Sequence, residues 1–255
     1  MSWQPEIDAL REREALAKRM GGAEKVKRQH DAGKLTVRER IDQLLDPGSF
    51  HEIGAIAGKA QYDEHGTLTD FSPANFVVGR GTIDQRPVVV GGDDFTVRGG
   101  AADAAIYQKQ VIGEQFANEM RIPLVRLVDG TGGGGSVKTL ETTGRTYVPA
   151  NPGWDWVVAN MATVPVVALG LGSVAGLGAA RLVTSHYSLM VQGISQMFIA
   201  GPPVVAHIGI TVTKEELGDS AIHAKAGAID DVCESEQEAF APGTALPVLP
   251  ALFRS

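Results

Sequence analysis

Only one cysteine, Cys233, occurs in the 255 residues. A lone thiol excludes an internal disulfide and a cysteine-built zinc site, and Cys233 reads as an inert side chain. A basic balance is missing too. The formal charge of −7 argues against a general grip on nucleic acid, while leaving room for a local basic patch that holds a phosphorylated ligand. Long hydrophobic runs are absent. The longest, Val164 to Leu171, contains Pro165 and is too short to span a bilayer. The opening MSWQPEIDALRERE lacks the apolar core of a signal peptide. These absences predict a cytoplasmic protein with no membrane and no nucleic-acid partner.

Glycine is what the chain has in quantity: 31 residues, several of them clustered. The segment Val128-Asp-Gly-Thr-Gly-Gly-Gly-Gly-Ser-Val-Lys-Thr139 follows an apolar run, Pro123 to Val128, that reads as a buried strand. A second bare loop, Gly170-Leu-Gly-Ser-Val-Ala-Gly-Leu-Gly178, follows the apolar run Val164 to Leu169 and opens into the helical Ala179 to Val183. A third strand is expected at Ser188 to Val191. Strand, glycine loop and helix in repetition predict an α/β fold with a parallel sheet.

Upstream, residues 2–30 are charged and helix-favouring, with a thin apolar stripe of Ile7, Leu10, Leu16 and Met20, and Gly21-Gly22 breaks the helix. Thr36-Val-Arg-Glu39 spells a capping box, followed by Ile41, Leu44 and Leu45 on one face and a stop at Asp46-Pro-Gly-Ser49. Phe76 to Val78, Gly81 to Ile83 and Pro87 to Val90 read as three short strands of a meander. Asp93 to Gly100 reads as a polar loop, Ala101 to Met120 as a helix, and further helices are expected after Ser136 and over Trp154 to Thr163.

Three chemistries suit bare loops. A nucleotide P-loop needs glycine immediately before the lysine, and Val137 stands there instead, a β-branched residue that resists the required conformation. A dinucleotide fingerprint is met formally by Gly130-Thr-Gly132-Gly-Gly-Gly135, with Asp155 about 20 residues on, and loosely by Gly170 to Ala175. It normally opens the first βαβ unit, whereas here a strand-rich region precedes it. The third chemistry uses the loops as oxyanion holes: backbone N–H groups at a glycine turn and a helix start point at one oxygen, such as that of a thioester enolate, and two loops after adjacent strands could supply one donor each. Against all three stands the plain alternative that the glycines only permit tight strand-to-helix turns.

Several longer segments carry a resemblance. Gly33-Lys-Leu-Thr-Val-Arg-Glu-Arg-Ile-Asp-Gln-Leu-Leu-Asp46, Phe50-His-Glu-Ile53, Asp93-Asp-Phe-Thr-Val-Arg-Gly-Gly100, Ser195-Gln-Met-Phe-Ile-Ala-Gly-Pro202, and Glu215-Glu-Leu-Gly218 with His223 resemble, in order over about residues 20–240, the carboxyltransferase (beta) subunit of biotin-dependent acyl-CoA carboxylases of the propionyl-CoA and methylcrotonyl-CoA type. The resemblance implies a crotonase-like fold, a spiral of ββα units. It implies an acyl-CoA substrate and carboxybiotin borne by a separate biotin carboxylase/biotin carrier subunit. It implies an oligomer in which this N-terminal half meets a complementary C-terminal half. A carboxyl group would pass to the α-carbon of the acyl group through an enolate held by backbone donors, with no obligatory acid or base side chain.

By position, Gly132 to Gly135 occupy the family's SGGAR loop and Ala175-Gly176-Leu177 its AGG turn. The oxyanion donors implied are the backbone N–H groups of Gly133, Gly134, Gly176 and Leu177. For CoA the candidates are Arg98, Gly132, Gly135, Lys138, Arg145 and Gly178; no metal is implied. The loop lacks the family's arginine, and Leu177 replaces a glycine, which narrows its backbone angles. His186, His207 and His223 are candidate bases that read as structural. A hydratase, isomerase or decarboxylase of the same fold is the alternative enzyme, with Glu141 the only glutamate close to a loop. A CoA-binding half-subunit, inactive without its complement, is the non-enzyme alternative. Domain 1–240, with a helical segment 1–48, is followed by a divergent tail, 241–255. There Ala245-Leu-Pro-Val-Leu-Pro-Ala251 admits a coding that gives the family-like Arg-Phe-Leu-Ser-Tyr-Leu-Pro in another frame, so a frameshift is expected. The acyl chain (propionyl, acetyl or branched unsaturated) is left open.

Overall fold

Alternate residues of the apolar runs bury opposite faces of one sheet. In the computed structural model, which describes residues 2–100, 106–130, 144 and 153–241, the chain begins with α1 (Gln4–Lys18), α2 (Ala23–Asp31) and α3 (Val37–Leu44). Strands β1 (His51–Glu52), β2 (Gly58–Tyr62), β3 (Leu68–Pro73), β4 (Phe76–Ile83) and β5 (Arg86–Asp93) follow, then α4 (Tyr107–Met120), β6 (Leu124–Val128) and α5 (Trp154–Asn160). Next come β7 (Val166–Gly170), β8 (Ser173–Ala175), α6 (Leu177–Val183), β9 (Tyr187–Val191), β10 (Gln196–Phe198) and α7 (Pro202–Ala206). The described chain closes with α8 (Lys214–Gly218), α9 (Ser220–Ala226), β11 (Asp231–Cys233) and α10 (Glu236–Phe240).

The seven-stranded sheet runs β1-β4-β5-β6-β7-β9-β11. The β1–β4 and β4–β5 pairs are antiparallel, and every pair from β5 onward is parallel. Strands β8 and β10 leave the main sheet and form a short parallel ladder of their own. Long strand, short strand and helix therefore repeat as β7-β8-α6 and β9-β10-α7, the expected ββα succession.

The period-two pattern sorts the core. Val88, Val90, Val125, Leu127, Val167, Leu169, Leu189 and Val191 face α3 and α10, together with Val37, Ile41, Leu44, Ala239 and Phe240. Val89, Leu124 and Val166 face Ala117 of α4, while Val128, Ala168 and Met190 face Ala179 and Leu182 of α6. Both faces are covered, which is why β6 and β7 read as unbroken apolar runs rather than alternating ones. Arg126 is the exception within β6. Its guanidinium is fully buried and forks onto Glu114 of α4 at 2.8 and 2.9 Å, and it also donates to the Arg181 and Thr184 carbonyls. Asn160 of α5 donates to the same carboxylate at 3.0 Å. One satisfied ion pair thus ties three helices to the sheet.

The capping box at Thr36 and Glu39 forms as its spelling requires. The meander departs from expectation: Phe76 to Ile83 is one continuous strand, and the turn after it is two residues, Asp84 and Gln85, at φ 49° and 65°. Neither is glycine. The turn is held because the Asp46 carboxylate accepts the N–H groups of Asp84 and Gln85 at 3.0 and 2.8 Å and the Thr82 hydroxyl at 2.6 Å. The β2–β3 hairpin, exposed along most of its length and poor in apolar alternation, is an element the sequence pattern did not announce. Helix α4 starts at Tyr107, the expected start at Ala101 lying outside the described residues, and α5 ends at Asn160. The helix expected after Ser136 and the tail 242–255 lie outside the described residues. Among the described residues, no helix is long and apolar enough to cross a membrane.

Candidate functional site

Strands β5, β6 and β7 are adjacent and parallel, so the loops that leave them emerge at one edge of the sheet. In open α/β sheets that carboxyl-end edge is where ligands bind. The three loops touch. The Gly130 carbonyl accepts the Ala175 N–H at 3.2 Å. A Cβ on Gly178 would lie 2.6 Å from that same carbonyl oxygen, and one on Gly100 would lie 3.0 Å from the Gly130 Cα. Absent side chains at these positions are therefore a condition for the loops to meet. Arg98, Gly99 and Gly100 hold successive left-handed angles, φ 55°, 63° and 69°, so the Asp93 to Gly100 loop curls back onto the first glycine loop.

Behind this junction lies a buried ionic cluster. Asp129, the first residue past β6, is fully buried. Its carboxylate accepts from Lys34 at 2.8 Å, from Arg40 Nη1 at 2.8 Å and from Gln29 at 3.2 Å. Arg40 is buried as well; its Nη2 donates to the Leu171 carbonyl at 2.8 Å and its Nε to Glu236 at 2.7 Å. The other Glu236 oxygen takes the Leu35 N–H at 2.6 Å. Two cations thus face two carboxylates. Burial lowers the Lys34 ammonium below its ordinary range, against the pull of Asp129, and raises the Glu236 carboxyl against the pull of Arg40. Asp93 accepts the Asp129 N–H at 3.1 Å, and burial raises its carboxyl, opposed by Arg181 3.7 Å away. Gly172 closes the cluster: a Cβ there would lie 2.0 Å from Asp129 Oδ1 and 2.4 Å from Lys34 Nζ.

In front of the junction, a cavity of about 550 Å³ is lined by Lys25, Arg28, Lys34, Arg98 and Lys214, together with Phe95, Gly99 and Ser173. No carboxylate stands among its described lining residues. Such a wall suits a polyanion, with Lys25 and Arg28 supplied by α2 and Arg98 by the loop after β5.

Comparison with known sequences decides the family. Residues 28–249 match the carboxyl transferase domain. The chain belongs to that family. The mitochondrial methylcrotonoyl-CoA carboxylase beta chain of Arabidopsis thaliana is 33% identical over 219 residues, which is 83% of this chain and 35% of that protein. The propionyl-CoA carboxylase beta chain of Cereibacter sphaeroides is 32% identical over 237 residues, 91% of this chain and 45% of that protein. Among solved structures, transcarboxylase 12S with hydrolysed methylmalonyl-coenzyme A bound superposes with a TM-score of 0.76 at 30% identity, over 94% of this chain and 47% of that one. The chain thus spans between a third and a half of these relatives' length, and its fold is the crotonase-like one.

Measured against this carboxyl transferase domain, the candidate residues fall into three groups. Gly132, Gly133, Gly134, Gly135, Lys138, Glu141 and Arg145 lie outside the described residues. Arg98 lines the cationic cavity, and Leu177 and Gly178 form the first turn of α6, where N–H groups have no intrahelical acceptor. Gly176 is a correction. Its N–H donates to the Phe198 carbonyl at 3.1 Å, because the β8–β10 ladder continues one residue past Ala175. It is spent in the ladder and cannot serve as an oxyanion donor. Its glycine is needed instead for φ 57°, ψ −122°, a conformation closed to other residues.

The three candidate histidines each meet backbone groups. His186 accepts the Val166 N–H at 3.1 Å through Nδ1 and meets the Met161 carbonyl at 3.1 Å through Nε2. His223 meets the Met197 carbonyl at 2.6 Å and His207 the Pro203 carbonyl at 2.7 Å. Cys233 is buried, and desolvation pushes its thiol up to about 11, as suits an inert side chain. Lys34, Arg40, Asp129 and Glu236 were not singled out from the sequence. The one available signal was a charged residue inside the apolar-periodic helix α3, and it names no partner.

Proposed function

We propose that this chain is the acyl-CoA-binding half of a carboxyltransferase that moves a carboxyl group to the α-carbon of an acyl-CoA. The observation that carries the reading is the meeting of three glycine-stripped strand ends beside a cavity walled by cations. The cavity takes the phosphates of CoA, with Lys25, Arg28, Arg98 and Lys214 as donors; Lys34 is held by the buried Asp129, whereas Arg28 and Lys214 have exposed pairs, with Glu24 and Glu215, that a phosphate can displace. The thioester then lies toward the loop junction. There the Leu177 and Gly178 N–H groups are donors to the enolate oxygen, joined in this reading by those of Gly133 and Gly134, which lie outside the described residues; a second oxyanion hole would come from the complementary half. Preorganised donors of this kind are worth about 3–4 kcal/mol each in related chemistries.

Carboxybiotin, borne by a separate carrier, supplies the carboxyl group and the base for the α-proton. The described residues fit that division of labour. The candidate bases His186, His207 and His223 are engaged with backbone groups and the cysteine is buried, which supports a chain that contributes binding and charge stabilisation. An apolar surface at Ile199, Val204 and Ile208, exposed by 89%, 59% and 74%, is the face that a complementary half would cover.

The test mixes the chain with carboxybiotin and propionyl-CoA, with and without a chain carrying the second half of a relative. Carboxylation in the mixture only is the expected outcome. Calorimetric CoA binding with no turnover in either arm would reduce the reading to a binding subunit, and no CoA binding at all would remove it.

A further inference from the structure

We infer that Arg40 is a positioning residue that fixes the gap between the two glycine turns; this rests on the oxyanion reading above. The main ladder ends with Val128 opposite Gly170 and the Leu171 N–H on the Val128 carbonyl at 2.9 Å. Past that point the two backbones leave the sheet, and their next direct tie is the Ala175 N–H on the Gly130 carbonyl at 3.2 Å. Arg40 spans the interval. Its Nη1 holds the side chain of Asp129, the residue before Gly130, at 2.8 Å, and its Nη2 holds the Leu171 carbonyl, the residue after Gly170, at 2.8 Å.

The guanidinium is planar and its two terminal nitrogens keep a fixed separation, so a single rigid group spaces both strand ends. Nε on Glu236 at 2.7 Å sets the plane of the fork, and Glu236 is itself oriented by the Leu35 N–H. Among the described residues no other side chain hydrogen-bonds both Asp129 and Leu171. Arg40 is fully buried, so substrate does not touch it. Its effect reaches the substrate through the position of the turns, and a lysine, with one ammonium centre, cannot hold both ends at that separation.

The experiment uses Arg40→Lys, which keeps the charge and removes the fork. Two affinities are measured by calorimetry: that of CoA, which needs only the cationic cavity, and that of a nitroalkyl thioether of CoA in its nitronate form, whose anionic oxygens mimic an enolate. The wild type is expected to prefer the nitronate. Arg40→Lys is expected to lose about tenfold of that preference, a fraction of what one oxyanion donor is worth, while CoA affinity changes by less than about twofold. Retained preference overturns the inference, and so does equal weakening of both ligands, which would mean a purely structural role.

If the wild type itself shows no preference, the oxyanion reading fails and the clip is judged by hydrogen exchange. Faster exchange over residues 171–175, with Val88 to Val90 unchanged, sustains it; unchanged exchange over 171–175 overturns it. Should Arg40→Lys not fold, Arg40→Gln with Glu236→Gln removes one charge of each sign and takes the same measurements.

Discussion

Gly172→Ala tests the buried cluster most directly. The added Cβ would sit 2.0 Å from Asp129 Oδ1, 2.4 Å from Lys34 Nζ and 2.6 Å from Asp129 Cγ, where ordinary contact begins beyond 3.4 Å. Something must move. The backbone is pinned on both sides, by the Leu171 N–H on Val128 and by the Gly172 carbonyl, which accepts the Gln196 N–H at 3.1 Å. The carboxylate cannot swing aside cheaply either, since its other oxygen is held by Arg40 and Gln29. The least costly response is loss of the Lys34–Asp129 contact, leaving one buried charge short of its partner. Breaking a buried pair in this way costs about 3–5 kcal/mol. For a domain of this size, each kcal/mol lowers the melting temperature by about 2–4 °C, so a drop of roughly 6–20 °C is expected. Urea unfolding of wild type and variant should show a lower midpoint with an unchanged slope. A destabilisation of about 0.5 kcal/mol or less, the range of ordinary surface substitutions, would refute the reasoning. It would mean that the cluster is slack enough to admit a methyl group.

Three further outcomes are expected. Arg98→Ala, and separately Lys25→Ala with Arg28→Ala, should weaken CoA binding about tenfold, since a charge-assisted hydrogen bond contributes about 1.5–3 kcal/mol; calorimetry at two salt concentrations should find the larger loss at the lower one. Burial pushes the Glu114 carboxyl up, but the Arg126 fork more than offsets this and leaves it below its ordinary value of 4.5. A depressed folded-state value means that the pair's stabilisation is complete above pH 4.5 and is lost as pH falls through the lower folded value. The stability difference between wild type and Glu114→Gln, followed by thermal melts, should therefore shrink on acidification, and a difference that grows would contradict the assignment. Gln85→Gly relieves a left-handed residue at φ 65° and should stabilise the β4–β5 turn by about 1 kcal/mol, read as a small rise in melting temperature.

The parts of the fold legible in the sequence are those with a local cause. The apolar runs before the two glycine loops became β6 and β7, because strands buried on both faces must be apolar throughout. Thr36 and Glu39 capped α3 as their spacing spelled. What failed locally failed for a reason. Phe76 to Ile83 was divided at its glycines, yet those glycines give room for neighbours: a Cβ on Gly79 would lie 2.3 Å from the His51 carbonyl, and one on Gly81 would lie 2.5 Å from Leu45. Gly176 looked like a donor until the β8–β10 ladder claimed its amide.

The sequence alone determined the strand–loop–helix order, the exclusion of a disulfide within these 255 residues and the family to which the ordered motifs point, since each depends on neighbouring residues or on residue counts. Only the tertiary structure decided that Lys34, Arg40, Asp129, Leu171 and Glu236 form one cluster, and that Lys25, Arg98 and Lys214 wall one cavity. Their separations along the chain follow no period. They meet because parallel strands place their carboxyl ends on one edge, where segments far apart in sequence must share space and balance charge.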